Sequence, residues 1–548
     1  MTVLLPQGST IAVPGGRSLQ EIAAEVQQHH DAPIVAALVE NSLFELTAAV
    51  EAPSKVRFLD LTDKEGRRIY RRSLTLLFIA AAFDLFPGAA ISVEHSLGQG
   101  LFCKIKKEPA LDAADVAAVE QRMRQLVRAD LPLQKRRASP GEAAQIFLRQ
   151  SFDDKVALLK NWPKDYLNLY RLGDMEDTLY GYHVPRTGML RIFKLKHYPP
   201  GLVLRFSGER DPARIAPFVE QIKLFEIFRE AGQWGKILGF DTVGAMNKLI
   251  EEEQGPEVIR IAEALHEKKI ALIADEICAR GDEIRVILIA GPSSSGKTTF
   301  AQRLRTQLLV NGLRPLPISI DDYFVDRDQT PLDESDKPDF EHIEAVDLPL
   351  FNEHLLRLIE GERVAIPTYN FSTGKREYRG QEIELPAGQP LIVEGIHALN
   401  DTLTRAIPRR NKFKIYISAL TALNIDRHTR IHTTDTRLLR RIVRDAQFRG
   451  NSALDTICVW PSVRRGEERN VFHYQEEADA MFNSALVYEL SVLKKQAEPL
   501  LNQIDRSHEE YIDARRLLSF LSFFLPLEPA AVPSNSLLRE FIGQSCYF

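Results

Sequence analysis

The 548-residue sequence has only four cysteines, Cys103, Cys278, Cys458 and Cys546, and none forms a Cys-x-x-Cys pair. That spacing leaves no readable disulfide framework and no cysteine-based zinc site; it fits isolated thiols in a reducing compartment. Two apolar runs, Leu74 to Phe86 and Leu517 to Leu527, are too short to span a bilayer, and Asp84 and Pro526 interrupt them. Both are expected to be buried core helices. Charge is nearly balanced, with 70 basic and 75 acidic side chains, so no overall basic field points to nucleic acid. The opening Met-Thr-Val-Leu-Leu-Pro-Gln-Gly lacks the basic start and apolar core of a signal peptide. A cytoplasmic location without membrane attachment is expected.

What is present divides the chain into several domains, as its length requires. Thr2 to Leu5 and Thr10 to Val13 flank Gln7-Gly8-Ser9 and predict a hairpin. Ser18 is placed to cap a helix from Leu19 to Gln28, with Glu21 completing a capping box. Strands are expected at Ile34 to Val39 and Val56 to Leu59, giving a small α+β domain over 1–65. Residues 66–150 read as a second α+β domain. It is helical from Tyr70 and again up to Phe147, with a strand or hairpin at Ile91 to Ile105 and helical spacing through Asp112 to Leu133. Residues 151–282 have a β-like middle, Gly188 to Leu204, between helical stretches and read as a linking region. Over 283–500, apolar strands at Ile284 to Ala290, Leu316 to Ile320, Leu391 to Val393 and Phe413 to Ile417 alternate with helical patterns. This predicts an α/β domain with a mainly parallel sheet covered on both faces. Residues 501–548 read as a C-terminal helical extension.

The strongest motif is Gly291-Pro-Ser293-Ser294-Ser295-Gly296-Lys297-Thr298, followed by Thr299. It sits between a predicted strand and a predicted helix, the context a P-loop needs. Gly291, Ser293, Ser294, Ser295, Gly296 and Thr299 are expected to hold ATP phosphates through backbone N–H groups and the helix N-terminus. Lys297 is expected to reach the β- and γ-phosphates, and Thr298 to ligate Mg²⁺.

Downstream, Ser319-Ile-Asp321-Asp322-Tyr323-Phe324 ends the next strand. A carboxylate there faces the ligand crevice, where it could act on an attacking hydroxyl or help hold a metal; an Asp pair can equally cap a turn. Glu394 follows the strand Leu391 to Val393, as a metal-supporting acid would. Arg437, Arg440, Arg441 and Arg444 share one helix face at i, i+3, i+4 and i+7, and Arg449 follows. Such a face is either solvated or a phosphate clamp.

Together these residues resemble the uridine kinase and phosphoribulokinase family over roughly 284–490. The resemblance implies Asp321 as catalytic base, Glu394 supporting Mg²⁺, and Arg441, Arg444 and Arg449 as lid arginines on phosphates. It implies Tyr369, in Ile366-Pro-Thr-Tyr-Asn-Phe371, in the base pocket, and Glu341, in Phe340-Glu-His342, on ribose hydroxyls. Asp322, Tyr323 and His342 are grouped with the acceptor site. Three positions depart: Gly374 stands where uridine kinases place a pyrimidine-reading histidine, Asn451 replaces a further lid arginine, and Glu341 is longer than the usual aspartate. Trp460-Pro-Ser-Val-Arg-Arg-Gly466 also departs and points to a different acceptor pocket.

Residues 1–65 resemble the TGS domain of threonyl-tRNA synthetases, and 70–147 resemble the adjoining domain, which in them removes mischarged amino acid. Phe86-Pro87, Gly100-Leu-Phe102 and Val119-Glu-Gln-Arg-Met123 carry the second likeness. Its editing motif, HxxxH with a downstream Cys and His, is lost: Arg72 and Leu76 stand at the two histidine positions. His95 and Cys103 remain as local candidates, and a structural His with a buried Cys is expected rather than a zinc site. The reading is therefore an ATP- and Mg²⁺-dependent kinase acting on a small-molecule hydroxyl acceptor, plausibly a nucleoside. The alternative is a nucleotide-switch protein whose TGS-like region meets RNA or a regulator. Homo-oligomer formation stays open.

Overall fold

Short apolar strands punctuated by Gly and Ser build the first layer. A computed structural model describes residues 2–13, 16–50, 54–208, 211–332, 338–370 and 373–548. β1 (Thr2–Leu4) and β2 (Thr10–Ala12) form the expected hairpin, with Thr2 opposite Ala12. Ser18 caps α1 (Leu19–Val26): its hydroxyl accepts from Glu21 N–H at 3.3 Å, and the Glu21 carboxylate accepts from Ser18 N–H at 2.9 Å. β3 (Ile34–Val39), β4 (Ser42–Glu45) and β5 (Lys55–Asp60) complete a sheet of order β2-β1-β5-β3-β4. Val3, Leu19, Ile22, Val56 and Phe58 form its own core.

α2 (Lys64–Leu85) buries Leu74 to Ala82 without a break, so the first apolar run is a core helix. Asp84 falls beyond the buried stretch and pairs with Arg122 at 2.8 Å. Next come β6 (Ala90–Leu97), β7 (Gly100–Lys106), α3 (Ala113–Arg128), β8 (Gln134–Ala138), α4 (Pro140–Arg149), α5 (Asp153–Leu159), β9 (Leu167–Leu172) and β10 (Met175–Asp177). β8, β9 and β10 pair as one antiparallel sheet. β11 (Phe193–Tyr198) and β12 (Gly201–Phe206) then return to β7, with Val203 opposite Phe102, in the order β11-β12-β7-β6. Strands far apart in sequence thus share one sheet, and 151–282 is not a unit of its own. Its second half, α6 (Ile222–Leu238), α7 (Val243–Glu251) and α8 (Gly255–Ala279), goes the other way: Val258, Ile259, Ile270 and Ile277 join the core of the following sheet.

That sheet begins with β13 (Val286–Ala290), α9 (Lys297–Val310) and β14 (Leu316–Ser319). An excursion follows through α10 (Leu348–Ile359), β15 (Val364–Ala365), β16 (Thr368–Asn370), β17 (Lys375–Glu377) and β18 (Glu382–Ile383). β19 (Leu391–Glu394), β20 (Lys412–Ser418), β21 (Asn424–Asp426), β22 (Thr429–Arg430), α11 (Thr433–Phe448), α12 (Ala453–Asn470), β23 (Ala480–Asn483), α13 (Glu489–Leu501), α14 (Tyr511–Leu521) and α15 (Arg539–Ile542) complete the chain. The strand order is β14-β19-β13-β20-β23, all parallel. Successive side chains alternate across it. Ile287 and Ile289 enter one core with α8, α9 and α11, while Val286, Leu288 and Ala290 enter the other with α10. Burial on both faces explains the unbroken apolar run of β13. The second apolar run is only partly helical: α14 ends at Leu521, and Phe523 and Phe524 are buried beyond it.

The halves meet through buried charge. Lys155 of α5 lies 3.0 Å from Asp177 and 2.9 Å from Asp426 of β21, all three at most 1% exposed. His428 adds a 2.7 Å contact to Asp177, and the Tyr180 hydroxyl donates to Asp426 at 2.5 Å. Among the described residues no helix is long and apolar enough to cross a membrane.

Candidate functional site

The loop between β13 and α9 turns tightly because its glycines have no Cβ. A Cβ on Gly291 would sit 2.0 Å from the Ile417 carbonyl oxygen of the neighbouring strand, and Gly296 adopts a left-handed φ of +86° as it enters the helix. Lys297 folds back so that its ammonium donates to Gly291 O at 3.1 Å. Ser295 N–H donates to Pro292 O at 3.2 Å. Ser294 also takes a positive φ of 59°, and the Ser294 and Ser295 hydroxyls are buried without a hydrogen-bond partner.

Oxygen-bearing side chains gather beside the loop by register. β19 pairs with β14 so that Glu394 stands opposite Ser319. Glu394 Oε1 accepts from Thr298 Oγ1 at 3.4 Å and from Ser319 Oγ at 3.3 Å. Burial, with Asp321 beside it, pushes the Glu394 carboxyl up to about 7. A divalent cation would relieve that cost, and the hard oxygen set suits Mg²⁺. Thr298, Glu394 and, unforeseen in the sequence, Ser319 fit such an ion.

Asp321 lies in the single 3₁₀ turn Ile320–Tyr323 that ends β14. Burial raises its carboxyl above the ordinary range, opposed by Lys297, Arg449 and Arg444. Glu341 stands nearby: burial and then Glu467 push its carboxyl up to about 7, against the pull of Arg441 and Lys297. A Cβ on Gly466 would lie 2.3 Å from Glu341 Cβ, so the glycine of the departing Trp460–Gly466 segment admits the longer Glu341 side chain.

The arginine face splits, and neither expectation covers all of it. Arg437 and Arg440 are buried and paired with Glu467 and Glu489 at 2.5 and 2.6 Å. They also grip the loop, donating to the Ser293 and Ser294 carbonyls at 2.9 and 3.3 Å. Glu467 in turn accepts from Ser293 N–H at 2.8 Å. Burial works against Glu467, but Arg437 and Arg464 hold its carboxyl below the ordinary range. Arg441 Nη1 reaches the Ser293 hydroxyl at 2.8 Å. Arg441, Arg444 and Arg449 converge on Asp445 at 3.2, 2.7 and 3.6 Å. Asp445 and Glu467 were not singled out from sequence; the only hint was that a row of core-spaced arginines needs buried acids.

The residues expected on the acceptor side are held by contacts within the chain. Tyr323 is fully buried, its hydroxyl 3.2 Å from His354 Nδ1, and packs edge-on against Phe351. Tyr369 is 4% exposed and packs edge-on against Phe324. Both side chains belong to the core on this face of the sheet. Asp322 accepts from Tyr369 N–H at 3.2 Å and so holds β16. His342 Nδ1 accepts from Glu344 N–H at 3.2 Å, capping a turn. Phe371, which closes the Tyr369 motif, lies outside the described residues. At Gly374, where φ is +71°, the Arg327 side chain fills the space a larger residue would need, its Nε 2.7 Å from the ideal Cβ position.

In the N-terminal half, His95 stacks on Phe228 at 4.1 Å, and burial lowers its imidazole to about 4. Burial raises the Cys103 thiol. Arg72 donates to the Tyr182 carbonyl at 3.0 Å. Next to Tyr182 is His183, not noticed in the sequence, which is 2% exposed with no hydrogen-bond partner at either ring nitrogen. Among the described residues no group of three or more His, Cys, Asp or Glu could hold a metal ion.

Residues 286–487 match the model of the Phosphoribulokinase / Uridine kinase family. The N-terminal region matches threonine–tRNA ligases. The ligase of Coxiella burnetii (strain RSA 493 / Nine Mile phase I) is 30% identical over 195 residues, 35% of this chain and 30% of the relative. That of Rubrobacter xylanophilus (strain DSM 9941) is 28% identical over 195 residues, 36% of this chain and 30% of the relative. The chain thus spans less than a third of the length of these relatives. Among solved structures, a candidate fructose transport system kinase from Silicibacter sp. TM1040 is 17% identical with a TM-score of 0.27, covering 39% of this chain and 98% of that one. A possible uridine kinase from Bacillus stearothermophilus is 18% identical with a TM-score of 0.27, covering 39% and 97%.

Proposed function

We propose that the protein is a cytoplasmic kinase that transfers the γ-phosphoryl group of ATP to the hydroxyl of a small molecule, with a nucleoside-like acceptor. The observation that carries this reading is Asp321. Its carboxyl stands at the end of β14 with Lys297, Arg444 and Arg449 as its positive neighbours. A nucleotide switch has no need of an acceptor base beside its phosphate loop.

In the reaction the acceptor oxygen bonds to the γ-phosphorus as the bond to the bridging oxygen of ADP breaks. Asp321 takes the proton from the acceptor hydroxyl, which becomes acidic only as the new bond forms. Lys297 leaves its own loop carbonyls to meet the β- and γ-phosphates, and Arg441 and Arg444 meet the charge on the transferring group. Thr298 and Glu394, with Ser319, would hold Mg²⁺, which neutralises phosphate charge when bound. Glu341 sits on the acceptor side, beside Gly466.

The test is an ADP-release screen of the purified chain with ATP and Mg²⁺ over nucleosides, sugars, sugar phosphates and vitamins. Stoichiometric ADP formation dependent on one added metabolite is expected. Steady ATP binding without turnover across the panel would replace this reading with the nucleotide switch.

For the N-terminal half we propose binding of RNA or a regulatory ligand without editing chemistry. Arg72 and Leu76 stand at the motif's two histidine positions, and neither is a base or a metal ligand. Mischarged threonine tRNA should survive incubation with the full chain, and metal analysis should find no stoichiometric zinc. Deacylation persisting after Asp321→Asn would overturn this.

A further inference from the structure

Beyond α14 the chain returns to the nucleotide loop. Leu537, Leu538 and Phe541 are buried in the same core as α9 and α11. Two contacts reach the loop directly. The Leu537 side chain lies 2.3 Å from where a Cβ on Gly296 would stand, so this segment closes on the loop's last glycine. From α15, Glu540 Oε2 accepts from the Thr299 backbone N–H at 3.2 Å and from the Thr299 hydroxyl at 2.8 Å. Phe541 lies 5.0 Å from the Arg440 guanidinium, which itself holds Ser294.

Thr299 lies in the first turn of α9, where unsatisfied N–H groups and the helix dipole favour an anion. In a P-loop these donors belong to the nucleotide phosphates. Here an anion from the protein already occupies the one at Thr299. Two further donors of the loop are engaged within the chain: Ser293 N–H by Glu467 and the Lys297 ammonium by Gly291 O. A phosphate oxygen cannot share Thr299 with a carboxylate at hydrogen-bond distance, because like charges in contact repel strongly.

We propose that Leu537–Gly543 is an autoinhibitory strap and that the Glu540 carboxylate competes with the nucleotide's phosphates for Thr299. This rests on the reading that the loop takes ATP. Nucleotide entry requires Glu540 to leave, so the affinity for ATP is reduced by the fraction of molecules in which the strap is open. Glu540 acts through its charge, and the apolar anchors Leu537 and Phe541 keep the strap nearby for reclosure.

The full chain and its Glu540→Gln and Glu540→Ala variants are titrated with Mg·ATP by calorimetry. Hydrogen exchange of residues 533–543 in the unsubstituted chain is measured with and without ATP. Both variants should bind ATP about tenfold more tightly or better, the scale set by relief of one close charge repulsion. ATP should speed exchange in the strap. Unchanged or weaker affinity in the variants overturns the proposal. So does increased protection of 533–543 by ATP, which would make the segment a wall of the nucleotide pocket. If none of the three chains binds ATP, the nucleotide reading itself fails and the strap falls with it.

Discussion

Arg437 forks onto Glu467, Nη1 to Oε1 at 2.5 Å and Nη2 to Oε2 at 2.8 Å, with neither side chain more than 1% exposed. The pair ties α11 to α12, and both partners hold the same loop residue: Arg437 donates to Ser293 O and Glu467 accepts from Ser293 N–H. The shape of the phosphate loop therefore depends on a charge pair that no solvent supports.

Removing one member strands the other. Glu467→Ala should destabilise the protein by roughly 3–5 kcal/mol, the usual cost of an uncompensated buried charge. The double replacement Arg437→Met with Glu467→Leu should regain part of that loss but not all of it, because Ser293 and Arg464 also lose partners. Urea denaturation checks both; a Glu467→Ala change within measurement error would mean the pair is not buried in solution.

Binding and chemistry should separate between Lys297 and Asp321. Lys297→Ala should weaken ATP binding and reduce turnover together. Asp321→Asn, nearly isosteric but unable to take a proton, should keep near-native ATP affinity and lose about two to four orders of magnitude in turnover. ATP titration and single-turnover transfer on each variant read the two effects. Wild-type turnover in Asp321→Asn would move the base to another group, with Asp322 tested next.

Arg444 should matter only as charge develops on the transferring group. Its replacement by Ala should lower turnover by roughly a hundredfold, as loss of one transition-state contact does. Substrate affinity should change far less. If turnover is unaffected, Arg444 serves only its ion pair with Asp445.

Glu341 gives a pH dependence with a definite sign. Its carboxyl is raised from 4.5 to about 7 in the folded chain, by burial first. Below about 4.5 both folded and unfolded chains hold the proton, and Glu341→Gln should change stability little. As pH rises from about 4.5 to 7 the unfolded chain releases a proton that the folded chain still holds, so stability falls across that window and the cost is complete above 7. At pH 8 Glu341→Gln should be the more stable protein by up to roughly 3 kcal/mol. Thermal melts of both proteins across pH 4 to 8 give the comparison; parallel curves would show that Glu341 ionises freely.

Local features of the fold were legible where one segment carries its own signal. The Ser18–Glu21 box marked α1, the helical spacing after Asp112 marked α3, and the apolar run into Gly291 marked β13 and the loop. What stayed hidden depends on partners far along the chain. Nothing near β12 announces that Val203 will lie opposite Phe102. Nothing near Arg437 names a glutamate thirty positions on. Tyr323 and Tyr369 occur in motif-like surroundings, yet an aromatic ring beside acids can face a ligand or a core, and their packing against Phe351 and Phe324 appears only in the folded chain. Glu540 was least visible, because it reaches Thr299 from a segment with no motif at all.

The buried lysine at the junction bears on where the chain can be divided. Lys155 lies on α5, far ahead of the stretch that matches the kinase family, while one of its two close carboxylates, Asp426, lies within that stretch. A chain cut between them would leave Asp426 without its cation and open Lys155 and Asp177 to water. A truncation through this seam therefore wets three charges that the intact chain keeps dry.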